Sequence, residues 1–199
     1  MIFDPPDGRL PPLNAKGQQH ASEIAQAAKR REAAQDAQSM SLAERCISWG
    51  TEGPPMVGAT YNANLQIFQN GASLAILHEM IHGLRVIPLD GRPHLPQNIR
   101  NWNGDSVGHW EGKTLVVDTT NFSPKADFMG SAENLHLVER FTRVAADEIR
   151  YQMTVDDPAT WTKPWTAVLR LKHTDEKIFE VACHEGNFEV MVDMLRRLN

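Results

Sequence analysis

The strongest constraint in this chain is a period of two. In EIRYQMTV, Ile149, Tyr151, Met153 and Val155 alternate with Arg150, Gln152 and Thr154. Successive side chains of a strand point to opposite faces, so this is a strand with one face in a core and one face in water. ANLQIFQ alternates in the same way from Ala63, and KTLVVDTT comes after the turn signal Glu111-Gly112. LHLVERFTRV and EIRYQMTV flank Ala145-Ala146-Asp147 at hairpin spacing, while TAVLRLKH and KIFEVACHE flank Thr174-Asp175-Glu176. With Ser73 to Ile87 taken as strand, the pattern predicts a mainly β, antiparallel meander. Such a meander removes its edges by curling into a small barrel.

Ahead of the strands the pattern is different. Pro5, Pro6, Pro11 and Pro12 predict an extended arm on a surface. Residues 17–38 are rich in Ala, Gln, Lys, Arg and Glu and predict a weakly packed helix. Ser41-Leu-Ala-Glu44 matches a capping box opening a second short helix. We therefore divide the chain into an arm with helices, 1–50, and a β domain, 51–199. Phe188, Val190, Met191, Met194, Leu195 and Leu198 space as a closing helix. With so little apolar surface of its own, the arm is expected to wrap a second subunit as a homodimer.

Composition narrows the partners. A formal charge of −5 argues against sequence-independent nucleic-acid binding. The one basic run, Lys29-Arg30-Arg31, sits beside Glu32 and reads as a solvated helix face. No stretch approaches the roughly 18 apolar residues of a membrane-spanning helix. Cys46 and Cys183 are the only cysteines; a disulfide and two free thiols are both open to them. No signal peptide is visible, which suggests a cytoplasmic protein, or an exported one if a leader precedes Met1. There is no GxGxxG, Walker or GxSxG motif, which leaves nucleotide binding and serine hydrolysis without support.

One metal motif is present. His78-Glu79-Met80-Ile81-His82 is a literal HExxH, which on a helix grips zinc with two histidines and uses the glutamate as base. Leu74, Leu77, Ile81 and Leu84 fit a helix, yet Gly83 comes at once and Arg85 begins a strand-like run. The extended motif wants Gly at 85 and His at 88, where this chain has Arg85 and Pro88; Glu111, Glu133 and Glu139 remain as third-ligand candidates. On a strand the two histidines would stand about 13 Å apart, too far for one ion. The expectation is a metal-free pocket, with zinc hydrolysis as an alternative.

The remaining polar clusters suit acid–base work on a small molecule. Glu79 or Asp118 is the expected general base, His78 or His82 the proton partner, and Arg85 the holder of an oxyanion or carboxylate. Trp102, Trp110, Trp161 and Trp165 either plug the barrel ends or wall an aromatic pocket. Tyr61, Asn64, Asn121, Tyr151 and His184 complete the expected substrate-binding set. The expectation is a cofactor-independent lyase, decarboxylase or isomerase on an aromatic or terpenoid-like molecule, with a non-enzymatic carrier as the rival.

The motifs DPPDGRLPPL, HEMIHGLRVIPLDGRPHLP, GDSVGHWEGKTLVVDTTNF and TVDDPATWTKPW resemble a family of uncharacterised proteins from soil and sphingomonad-type bacteria. The resemblance covers nearly the whole chain and implies no particular mechanism. Members of that family carry export leaders, whereas this sequence begins at the arm, so the compartment stays open. WEGKTLVV and then VERFTRV are also similar to strand patterns of lipocalin-like barrels, which implies a small-molecule pocket.

Overall fold

A computed structural model describes residues 2–31, 40–50, 52–58, 61–126 and 128–189, together with 192 and 196. The period-two segments form two antiparallel sheets. The larger has six strands in the order β1-β9-β8-β7-β6-β5: β1 Ile2–Asp4, β5 Asp105–Glu111, β6 Thr114–Thr120, β7 His136–Ala145, β8 Glu148–Asp156 and β9 Trp165–Lys172. The smaller has the order β2-β3-β4: β2 Leu65–Gln69, β3 Ser73–His78 and β4 Leu84–Pro88. The protein is therefore mainly β and antiparallel. Its strands are hydrogen-bonded as two sheets, with no closed ring among the described residues.

Register obeys the apolar alternation. Leu137, Glu139 and Phe141 of β7 stand opposite Val155, Met153 and Tyr151 of β8, so all six share the inner face. Val155, Met153 and Tyr151 in turn face Trp165, Ala167 and Leu169 of β9. The small sheet contributes Leu74 and Ile76 from β3 and Ile87 from β4 to the same core. Gly108 on β5 marks the closest approach of the two sheets. A Cβ there would sit 2.8 Å from Leu89 Cδ2 and 2.9 Å from Ile87 Cγ2, so only a hydrogen fits.

The arm is woven into its own chain. β1 pairs with β9, Ile2 opposite Ala167, and Leu13 bridges to Trp161. Helix α1, Ala15–Arg31, opens on Asn14, whose Oδ1 accepts from the Gly17 amide at 2.8 Å. The rest of the helix expected to residue 38 lies outside the described residues. Ser41 and Glu44 exchange the reciprocal bonds of a capping box, Ser41 N to Glu44 Oε2 at 2.8 Å and Glu44 N to Ser41 Oγ at 3.2 Å. The box opens a set of turns rather than the expected helix.

Two other expectations change. The expected strand in KIFEVACHE does not form: no strand lies beyond β9 among the described residues, and Cys183–Gly186 is a short helix, α2. The physical reason is the bond between Cys46 and Cys183, Cα to Cα 5.9 Å, which draws this segment to the 40–50 turns instead of to a sheet edge. It closes a sequence separation of 137 residues and restricts the unfolded chain by about 2–4 kcal/mol. Most of the closing helix expected to residue 199 lies outside the described residues. No helix among the described residues is long and apolar enough to cross a membrane.

Candidate functional site

The HExxH segment is not a helix. His78 ends β3, and Met80–His82 form a single 3-10 turn with Ile81 and His82 at positive φ. Gly83 then starts the return, donating from its amide to Met80 O and accepting from the His78 amide at 2.8 Å. The turn separates what a helix would have gathered: His78 and Glu79 are both buried, Glu79 in the lining of an edge pocket, and His82 is exposed. Among the described residues no group of three or more His, Cys, Asp and Glu side chains is arranged to hold a metal ion.

Inside, β4 delivers a charge to the core. Arg85 donates from Nη1 to Glu139 Oε1 at 3.0 Å and from Nη2 to Glu139 Oε2, which is a buried bidentate pair. Its Nε donates to Ser106 Oγ at 3.0 Å and its Nη2 to Thr119 Oγ1 at 2.9 Å. Tyr151 donates its hydroxyl to Glu139 Oε1 at 2.8 Å and accepts from the Met56 amide at 3.0 Å. Burial, then the neighbouring Glu139 charge, holds that phenol well above its ordinary range, so it stays a donor. Four of the five guanidinium N–H groups are thus committed to protein acceptors, at the residue expected from the sequence to hold a substrate anion.

Three buried side-chain atoms have no hydrogen-bond partner among the described residues: His78 Nε2, Glu52 Oε1 and Trp165 Nε1. Glu52 comes from the turn after Trp49, with its amide donating to Trp49 O at 3.0 Å, and its carboxyl reaches Gly83. A Cβ on Gly83 would meet Glu52 Oε2 at 3.0 Å. Gly83 accepts from the His78 amide across the turn, so the Glu52 carboxyl reaches the hairpin end that also carries His78. Desolvation dominates both. It pushes Glu52 up to about 7, against the lowering effect of the Trp49 backbone, and together with the Arg85 charge it pushes His78 down to about 4. Near pH 6 each of the two side chains is neutral.

The other expected residues fall in three separate places. Glu79 Oε2 accepts from Asn64 Nδ2 at 2.9 Å and its Oε1 from the Phe179 amide at 3.2 Å. Both Glu79 and Asn64 line an open edge pocket of about 490 Å³ with Phe179 and Lys177. Asp118 lies on the outer face of the large sheet, in a chain that runs from Asp105 through His94 and Asp118 to His136. His94 Nδ1 meets Asp105 Oδ2 at 3.0 Å, His94 Nε2 meets Asp118 Oδ1 at 2.9 Å, and His136 Nε2 meets Asp118 Oδ2 at 2.9 Å. With Asn121 Nδ2 donating to Leu95 O at 2.8 Å, this chain fastens the 90–99 loop to the sheet. Asp118 is thus remote from His78, which corrects its pairing with the buried imidazole.

The tryptophans also divide. Trp161 and Trp165 are buried edge to face at 5.9 Å, and Trp161 Nε1 donates to Ser131 Oγ, so they plug one end of the core. Trp110 is exposed on β5, as are Tyr61 beside Trp49 and His184 on α2; none of the three lies inside. Trp102 alone of the four expected walls lines a cleft, of about 230 Å³, between the Trp49–Pro54 turn and the loops around Phe122 and Phe128. The turn that carries Glu52 is one wall of that cleft.

The fold is a mainly β protein of two antiparallel sheets, of six and three strands. No family model matches the chain, and neither curated proteins nor solved structures show a significant match.

Proposed function

We propose that the protein is a cofactor-independent acid–base enzyme of the lyase or isomerase type, acting on a small aromatic or terpenoid-like molecule, with Glu52 as acid and His78 as base. The observation that supports this reading is that Glu52 Oε1 and His78 Nε2, the titratable members of the three buried unpartnered atoms among the described residues, belong to residues that both approach Gly83. Buried polar atoms are nearly always paired, and an exception calls for a role such as binding a reactant. A lipocalin-like enclosure belongs to the same proposal: the ligand enters by the cleft at the Trp49–Pro54 turn and is wrapped by the facing sheets. The Arg85–Glu139–Tyr151 network positions the site by holding the β4 end of the hairpin rigid.

A dehydration illustrates the chemistry. His78 Nε2 takes a proton from the carbon next to an activating group, and the C–O bond of the neighbouring hydroxyl breaks. Glu52 supplies the proton that turns the departing hydroxide into water, and a carbon–carbon double bond forms. The imidazolium then returns its proton to the Glu52 carboxylate. The Cys46–Cys183 bond adds an oxidising compartment to the proposal, the setting in which structural disulfides persist.

The test is turnover of 3-hydroxy-3-phenylpropanoate, phenyllactate, linalool and geraniol, monitored by absorbance and product analysis. Elimination or isomerisation of at least one is expected, reduced by about 10²–10⁴-fold in Glu52→Gln and in His78→Gln. Binding without turnover of any of the four would replace this reading with the carrier, and full activity in both variants would remove the assignment.

A further inference from the structure

We propose that the cleft between the Trp49–Pro54 turn and the Trp102 loop binds a single-ring aromatic carboxylate, its ring against the apolar part of the lining and its carboxylate against Lys125. This deepens the acid–base reading by naming a substrate class, and it rests on that reading only for the step from ligand to substrate.

Size comes first. The cleft holds about 230 Å³, below the roughly 300–1,000 Å³ that encloses a drug-sized ligand. One ring with a short acid side chain fits in that volume. Trp49, Pro54, Trp102, Phe122, Phe128 and Leu135 give the lining its apolar part, and Ser41, Ser48, Asn103 and Ser131 add polar groups among them. Phe122, Phe128 and Leu135 belong to the buried core, and Phe128 is stacked on Trp165 at 6.2 Å. The Trp49 side continues into the 40–50 turns that the Cys46–Cys183 bond fastens to α2. Both sides are thus held before a ligand arrives, which lowers the ordering cost of binding.

Charge supplies the class. Among the described lining residues Lys125 alone is charged, and it forms no ion pair among the described residues. Arg85, the cation that the sequence pattern points to, is committed to Glu139, Ser106 and Thr119. A partly aromatic slot with one unpaired ammonium among its described lining residues favours an anion with an aromatic body over a neutral or cationic analogue.

The test uses the tryptophan fluorescence of the whole chain, titrated with cinnamate and cinnamyl alcohol. Saturable quenching by cinnamate is expected, with cinnamyl alcohol about fivefold weaker, as one partly exposed ion pair provides. Lys125→Met should erase the preference for the acid without changing the melting temperature, because Lys125 is a surface residue. Trp102→Ala should weaken both cinnamyl ligands. Absence of saturable quenching, or an acid preference that survives Lys125→Met, would overturn the proposal. The two readings fail separately. Lys125-dependent binding of 3-hydroxy-3-phenylpropanoate without turnover would sink the acid–base reading and leave this site. Turnover with an unchanged KM in Lys125→Met would do the reverse.

Discussion

The carboxylate of Glu139 is held from two sides: both its oxygens accept from Arg85, and Oε1 also accepts from the Tyr151 hydroxyl at 2.8 Å. A charge pair fully out of water is costly to form and more costly to break. Here Ser106 and Thr119 accept two further donors of Arg85, so the pair is largely compensated in place.

Breaking that pair from one side should therefore be severe. Glu139→Gln leaves the guanidinium buried without a counter-charge and is expected to cost about 3–5 kcal/mol in urea unfolding. Replacing both partners, as in Arg85→Met with Glu139→Leu, should cost clearly less than the sum of the single changes. Additive losses would show that the two groups do not act as a unit.

Glu52 and His78 give opposite pH slopes. Glu52 is raised from 4.5 to about 7 in the folded protein, so the folded state holds its proton more tightly and stability falls as pH rises between those values. His78 is lowered from 6.5 to about 4, so the unfolded state binds the extra proton and stability rises between about 4 and 6.5. The two contributions oppose each other in the native protein. Relative to it, Glu52→Gln should gain stability with rising pH from 4.5 to about 7, and His78→Gln should lose stability with rising pH from about 4 to 6.5. Thermal melts across this window check both signs; parallel curves for all three proteins would remove the burial argument.

Gly17 tests the docking of α1. In a free helix alanine is better than glycine by about 1 kcal/mol. Here a Cβ would lie 2.3 Å from the Thr160 carbonyl oxygen, a backbone atom that cannot turn away. Gly17→Ala is expected to destabilise by about 1–3 kcal/mol, read as a lower melting temperature. A higher one would mean that the helix does not rest on the 157–161 loop.

How much of the molecule is legible in its sequence depends on whether local pattern or long-range placement decides. The alternation in β7 and β8 carries their register, because the period of a strand is local. The same alternation places Glu139 between Leu137 and Phe141 on the apolar face, although by sequence it stands out only as a third zinc ligand. His78 is legible as a residue of interest, while its separation from Glu79 and His82 depends on a 3-10 turn whose positive φ at Ile81 and His82 no propensity announces. Glu52 carries no signal at all: it sits in a turn, and only the fold brings it to Gly83. The outer chain through His94 and His136 is hidden for the same reason, since its members come from a loop and three strands.

The central claim is that Glu52 acts as acid and His78 as base, each held neutral near pH 6 by desolvation. The most direct measurement is an NMR titration of the native protein that tracks the Glu52 carboxyl carbon and the His78 ring nitrogens, assigned with Glu52→Gln and His78→Gln. Midpoints of about 7 for Glu52 and about 4 for His78 are expected. Midpoints near the ordinary 4.5 and 6.5 would mean that both groups are solvated, and the acid–base assignment would fall.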